Sequence, residues 1–213
     1  MAYPVSKLFD SLAKFDMSLA HNFIIQDQNM QPEFAELMTV YANDCVALVQ
    51  HLIDSKSYPA CVHFLVLGLP LPEIMWWAYL AALKVEGENA NEHILTALTA
   101  IRHWVYNQQE DLRWAVKTAT EQLKTNTVTR WVCLATYWCG PDINPHASSA
   151  VQPHPLMPRI AAANAINKAG ELSTAQAEAH FLWLILQGIH IANGGNGQLN
   201  EQTQKNLLAY LGD

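Results

Sequence analysis

The sequence predicts an all-α protein, a single irregular multi-helix bundle of about eight to ten helices built from antiparallel helical hairpins. Three observations predict it. Apolar residues recur at spacings of three and four along nearly the whole chain, the period of one buried helical face. Prolines fall where helices begin or must stop. No segment alternates apolar and polar residues like a half-buried strand, and runs of Val, Ile and Thr are absent.

Pro4 suits a first helical turn, and Val5, Leu8, Leu12 and Phe15 follow as one stripe. From Asp16 to Gln31 the pattern is ambiguous around Phe23, Ile24 and Ile25. Pro32 and Glu33 open a helix whose face runs unbroken through Phe34, Leu37, Met38, Tyr41, Cys45, Leu48, Val49, Leu52 and Ile53. Pro59 starts a short helix, Ala60 to Leu67, apolar on most sides and broken by Gly68 and Pro70. Pro72 and Glu73 begin the next, Ile74 to about Val85, with almost no polar face, which places it at the centre of the core.

Asn89 or Asn91 caps a helix through Ile94, Leu95, Leu98, Ile101, Trp104 and Val105. A tight turn at Asn107-Gln108 leads to its partner, marked by Leu112, Ala115, Val116, Ala119 and Leu123, with Glu110 and Asp111 at the positive end of its dipole. Thr127 to Trp138 is one more helix. Cys139 to Pro158 holds Pro141, Pro145, Pro153, Pro155 and Pro158, which excludes continuous helix. Met157 or Pro158 then opens a small-residue helix, Ile160 to Ala169. Ser173 caps the last long one, Thr174 to about Ala192, which Gly194-Gly195 ends. Asn200 to Leu211 adds an amphipathic segment. We read residues 1–213 as one helical domain, with the proline-rich loop at 139–158 covering the bundle.

Composition narrows the function. Charged residues make up 15% of the 213 and apolar ones 51%, against about 25% charged in an average domain. Such a chain builds a large core without metal or disulfide. The formal net charge is -7 and only Arg102, Arg113, Arg130 and Arg159 are arginines, so no cluster exists to neutralise nucleic-acid phosphates. The opening residues carry Lys7, Asp10, Lys14 and Asp16 in place of the apolar run of an export signal, which predicts a cytoplasmic protein with free thiols at Cys45, Cys61, Cys133 and Cys139. The uncharged stretches Ser57 to Pro72 and Ala179 to Asn200 are interrupted by prolines, glycines and polar residues, which predicts burial in protein rather than membrane insertion.

The nine histidines show no pair at the three- or four-residue spacing that aims two ligands from one helix at a metal. No metal and no cofactor is predicted. Phosphate loops of the GxGxxG or GxxxxGK[ST] kind are absent, as are HExxH and GxSxG. Six residues remain as a candidate ligand or partner surface: Trp114, Trp138, Cys139, Asp142, His146 and His154. Trp114 lies off its helix's apolar stripe and faces a groove or a partner. Cys139, Asp142, His146 and His154 share the proline-rich loop with Trp138 as a wall, and a Cys-His pair is the raw material of nucleophilic catalysis. The other tryptophans read as core, so Trp76→Ala and Trp77→Ala are both expected to cost about 3–5 kcal/mol.

Several segments together resemble a known family. Leu71-Pro72-Glu73-Ile74-Met75-Trp76-Trp77-Ala78 is similar to a P-x-E-x-x-W-W-A signature. His103-Trp104-Val105 with Glu110, Asp111, Arg113 and Ala115 resembles the hairpin that follows it. Trp131 to Gly140, with Pro153 and Pro155, looks like its proline-rich loop, and Gly188 to Gly194 resembles a closing G-x-x-I-A-x-G. Cys139-Gly140-Pro141 departs from the small Ser-Gly residues of the pattern. The set, over about residues 45–195, resembles a bacterial all-helical family of unknown function associated with type VI secretion gene clusters. The resemblance implies a helical fold and a bacterial source.

Two functions are expected from these observations. The first is a non-catalytic cytoplasmic interaction protein (an adaptor, chaperone or accessory factor) acting through a helical surface on another protein, or on a second copy of itself. The alternative is an enzyme or small-ligand receptor with a site under the 139–158 loop.

Overall fold

The computed structural model describes residues 9–26, 32–41, 44–144, 149–172, 177–201 and 205. These residues form ten helices and no strand. The first four are α1 (Met17–Gln26), α2 (Pro32–Val40), α3 (Cys45–Asp54) and α4 (Tyr58–Gly68). Then come α5 (Leu71–Glu86), α6 (Glu92–Asn107), α7 (Glu110–Glu121), α8 (Val128–Tyr137) and α9 (Leu156–Glu171), and last α10 (Ala177–Ala192). The chain forms two compact units, Met1–Pro70 with Ser173–Asp213 and Leu71–Leu172.

In the first unit α4 is the hub, packed by α1, α3 and α10. Its sequence explains this: Cys61, Val62, Phe64, Leu65, Val66 and Leu67 are all buried, so no single face is spared for solvent. Pro59 sits in the first turn, where its missing N–H costs nothing. Lys14 N–H donates to the Ala192 carbonyl (2.8 Å), and the Asn193 side chain accepts from Ser11 Oγ (2.8 Å) and donates to the Ser11 carbonyl (2.7 Å). Residues 9–16 are thereby tied to the end of α10.

In the second unit α8 packs on α5, α6, α7 and α9, and α5 packs on α6, α8 and α9. Only Gln108 and Gln109 separate α6 from α7, a connection that forces an antiparallel hairpin. Gln108 takes a left-handed conformation there (φ 50°). The start of α8 is closed by a side chain from another helix. Glu86, the last residue of α5, accepts from Val128 N–H (2.8 Å), Thr129 N–H (2.8 Å) and Thr129 Oγ1 (2.6 Å), taking up amides that an α-helix leaves unpaired at its start.

Several boundaries differ from the sequence reading. Phe9–Asp16 is not helical: Phe9 and Leu12 are buried as expected of a stripe, but the backbone hydrogen bonds go to Ala192 and Asn193 instead. Residues 1–8 lie outside the described residues. Helix α1 occupies the ambiguous stretch, with Asp16 Oδ1 accepting from Leu19 N–H (2.9 Å). The helix read as continuous from Pro32 to Ile53 is two, because Asp44 caps α3 by accepting from Ala47 N–H (2.8 Å). On α7 the buried face is centred on Arg113, Val116 and Thr120, while Ala115 is exposed. The Ser173 cap lies outside the described residues, as does Asn200–Leu211 apart from Asn200, Glu201 and Lys205.

The tryptophans also divide differently. Trp77 and Trp104 are buried, whereas Trp76, Trp114, Trp131, Trp138 and Trp183 are half-buried. Trp76 is thus not a core residue: it leaves the α5 interior and stacks on Tyr79 (5.1 Å between ring centres) and against Tyr106 of α6 (5.7 Å). Trp77→Ala should lower the unfolding free energy by about 3–5 kcal/mol, and Trp76→Ala by about half as much. Urea unfolding of the two variants checks this, and equal losses would contradict the asymmetry of the helix.

Candidate functional site

The second unit carries the proline-rich loop, and one side chain of α7 organises its entry. Arg113 is 1% exposed. Its Nη1 donates to the Tyr137 carbonyl (2.6 Å), at the end of α8, and its Nη2 to the Asp142 carbonyl (2.7 Å), in the loop. Nε donates to Glu110 Oε2 (2.8 Å), and Nη2 also meets Glu110 Oε1. Glu110 and Arg113 lie one turn apart on α7, so the fork is held by its own helix. Gly140 passes so close to the guanidinium that a Cβ would lie 2.1 Å from Nε. Only glycine permits that approach.

The aromatic groups close round the same charge. The Arg113 guanidinium lies 4.7 Å from the Trp114 ring centre and 5.2 Å from that of Tyr137, within cation–π range. Trp114 and Tyr137 meet edge to face at 5.4 Å, and Trp114 Nε1 donates to Glu110 Oε1 (3.0 Å). The Tyr137 hydroxyl donates to the Ile143 carbonyl. Burial raises the phenol above its ordinary range.

Asp142 then cinches the loop. One carboxylate oxygen accepts from Asn144 N–H and Val151 N–H, both at 2.9 Å, while Ile143 N–H donates to the Val151 carbonyl (2.9 Å). The amides of Asn144 and Val151 hold the Asp142 carboxyl below the usual carboxylate range. Residues 142–144 are thereby joined to Val151 both through the Asp142 side chain and through the backbone.

The predicted site residues are therefore placed as follows. Trp114 is half-exposed beside Arg113, and Asp142 is joined to the same guanidinium through its backbone. Trp138 ends α8, its N–H donating to the Leu134 carbonyl (3.0 Å). Cys139 donates its thiol to the Ala135 carbonyl (3.3 Å), and burial pushes that thiol up to about 12, which keeps it protonated and unreactive at neutral pH. His154 is exposed and accepts Leu156 N–H on Nδ1 (3.3 Å) at the start of α9. His146 lies outside the described residues. No hydrogen bond among the described residues joins Cys139, Asp142 and His154 to one another. Nor is any group of three His, Cys, Asp or Glu side chains placed to hold a metal.

A second surface was not read from the sequence. Along α5 and α6, the half-buried Trp76 and Leu80 stand with exposed Leu83 (41%), Leu95 (51%) and Tyr106 (64%). Trp76, Leu80 and Leu83 follow helical spacing, a stripe that a helix without a polar face conceals from periodicity alone. Among the described residues no helix is long and apolar enough to cross a membrane.

Comparison with known proteins gives one match. The Family of unknown function (DUF6931) matches residues 48–192, inside the 45–195 span of the sequence resemblance. No curated protein and no solved structure matches.

Two outcomes test the Arg113 lock. Arg113→Met leaves two carbonyls without their donor and should cost about 2–4 kcal/mol in chemical denaturation. Hydrogen bonds from Arg113 also hold Glu110 below its ordinary 4.5. Its folded value lies below the unfolded one, so the stabilisation is complete above pH 4.5 and is lost as pH falls through the folded value. Denaturant midpoints from pH 7 down to about 3 should fall more for the wild type than for Glu110→Gln, and parallel curves would contradict the assignment.

Proposed function

The chain belongs to the DUF6931 family of unknown function, and from that premise we propose that it is a non-catalytic, cytoplasmic interaction protein: an adaptor, chaperone or accessory factor. It works through a helical surface. The observation that carries the reading is the aromatic and aliphatic face of α5 and α6, where Trp76, Leu83, Leu95 and Tyr106 stand at least partly open to solvent. Exposed tryptophan and tyrosine flanked by aliphatic residues are the anchors protein interfaces favour. The protonated Cys139 and the structural duties of Asp142 and His154 favour it over chemistry at the loop.

The partner is another protein, and a second copy of the chain is the other occupant this face admits. The resemblance of residues 45–195 to proteins associated with type VI secretion gene clusters supports a bacterial source and a partner within that machinery. We treat residues 1–213 as one domain in this role, for which a single cooperative unfolding transition is the expectation.

The experiment is affinity capture from the native cells with wild type and with a Leu83→Lys, Tyr106→Lys double variant, alongside light scattering for self-association. The wild type should retain one stoichiometric partner, and the double variant should lose at least about tenfold in affinity with an unchanged melting temperature. Retention of the partner by the variant would remove this face from the interaction.

A further inference from the structure

The α5–α6 face has a property that a plain apolar patch lacks: its two ends are complementary. On α6, Glu92, Leu95, Thr99 and Arg102 follow one another at spacings of three, four and three, and all four are exposed. On α5, Trp76, Leu80 and Leu83 lead by the same kind of spacing to Gly87, which follows the helix. Each row carries opposite characters at its ends, an acid and a base on α6, a large ring and no side chain on α5.

Neither charge is answered within the chain. Among the described residues Glu92 and Arg102 make no hydrogen bond and no ion pair. Arg102 stands at the edge of the aromatic cluster of Trp76, Tyr79 and Tyr106: burial raises the Tyr79 phenol, and the nearby Arg102 charge opposes that rise. Tryptophan, tyrosine and arginine are the residues on which interface affinity concentrates.

An antiparallel pairing of α6 with α6 of a second copy about Ala97 sets Glu92 opposite Arg102 and Leu95 opposite Thr99, each twice. The same operation on α5, centred between Ala81 and Ala82, sets Leu80 against Leu83 and Trp76 over Gly87. Both centres lie about 7 Å along their helices from the ends joined by residues 87–91. One two-fold axis therefore serves both, and two hairpins close into an antiparallel four-helix arrangement. Net charge in this unit does not oppose it. Leu71–Leu172 carries eight Lys and Arg against nine Asp and Glu, so the acidic excess of the chain, -7 overall, resides almost wholly in the other unit.

We propose that the α5–α6 face binds a second copy of this chain, forming a two-fold dimer held by reciprocal Glu92–Arg102 pairs around a centre of Leu80, Leu83 and Leu95. This rests on the reading of that face as the working surface: the dimer is its resting state, and the protein partner competes with the second copy for it. Each helix has 16 residues and is about 24 Å long. The footprint is at the low end of specific interfaces, so the dimer should be weak, with a Kd on the order of 10–100 µM.

The test is sedimentation velocity of the purified full-length chain across that range. The wild type should pass from monomer to dimer. Arg102→Glu, in the helix interior, replaces two attractions by two repulsions and should weaken the dimer at least about tenfold with an unchanged melting temperature. Glu92→Arg should do the same. The Glu92→Arg, Arg102→Glu double variant should recover the wild-type affinity to within about threefold, and an equimolar mixture of the two single variants should form the mixed dimer. Should Glu92→Arg lower the melting temperature, Arg102→Glu alone decides. A chain that stays monomeric at about 1 mM overturns the inference. So does a dimer indifferent to Arg102→Glu, or one that a double variant folded like the wild type fails to restore. A dimer with no captured partner would remove the adaptor reading and leave this inference standing, and a captured partner with a monomeric chain would do the reverse.

Discussion

The guanidinium of Arg113 satisfies the end of α8, the first residues of the proline-rich loop and the start of its own helix, all within hydrogen-bonding distance of one planar group. Taking a charge out of water is expensive, and an apolar group in place of a whole buried ion pair is often as stabilising, although removing one partner alone is costly. What the apolar side chain lacks is geometry. The fork of donors fixes where Tyr137 and Asp142 place their carbonyls, and Gly140 moulds the chain against the flat of the group. The rings of Trp114 and Tyr137 lie within cation–π range of the group, and its Glu110 partner stays half in solvent. The entry to the loop, from Tyr137 to Asp142, is thus held by one side chain.

Helix identity was legible because it depends on near neighbours. The spacing of Ile74, Trp77, Ala78 and Ala81, the cap at Asn91 and the turn at Gln108 all reside within a few residues of the structure they cause. Boundaries failed where the cause lies far away. The stripe Leu8, Leu12, Phe15 has a helical period, yet Lys14 and Ser11 bond to residues about 180 positions later, and no local pattern records that. Asp44 is the opposite case, a local cap overlooked because the apolar face on either side runs in register.

The candidate surface was legible in part. Trp114 stood out against a stripe read through Leu112, Ala115 and Ala119, and it is half-exposed, although Ala115 of that stripe is exposed as well. Arg113 was visible only as a letter in a recurring pattern: a charged residue on a buried face reads as an error of phase until its partners are seen. Cys139 and His154 attracted notice for reactivity, but their surroundings decide otherwise, one through burial and the other through a backbone amide. The face of α5 bearing Trp76 was hidden by excess. When every side of a helix is apolar, composition does not say which side stays outside.

The division of the chain also bears on how it is made. Residues Leu71–Leu172 are contiguous, whereas the other unit needs both Met1–Pro70 and Ser173–Asp213. A ribosome adding roughly 5–20 residues per second delivers α1 to α4 long before α10. Until α10 emerges, the part of the α4 surface that it covers lacks that partner on the nascent chain. The intervening unit waits less, since even its partners farthest apart in sequence, α5 and α9, both lie within Leu71–Leu172. Vectorial synthesis therefore leaves the α10-facing side of α4 uncovered for roughly several seconds, an interval in which a holdase chaperone has something to hold.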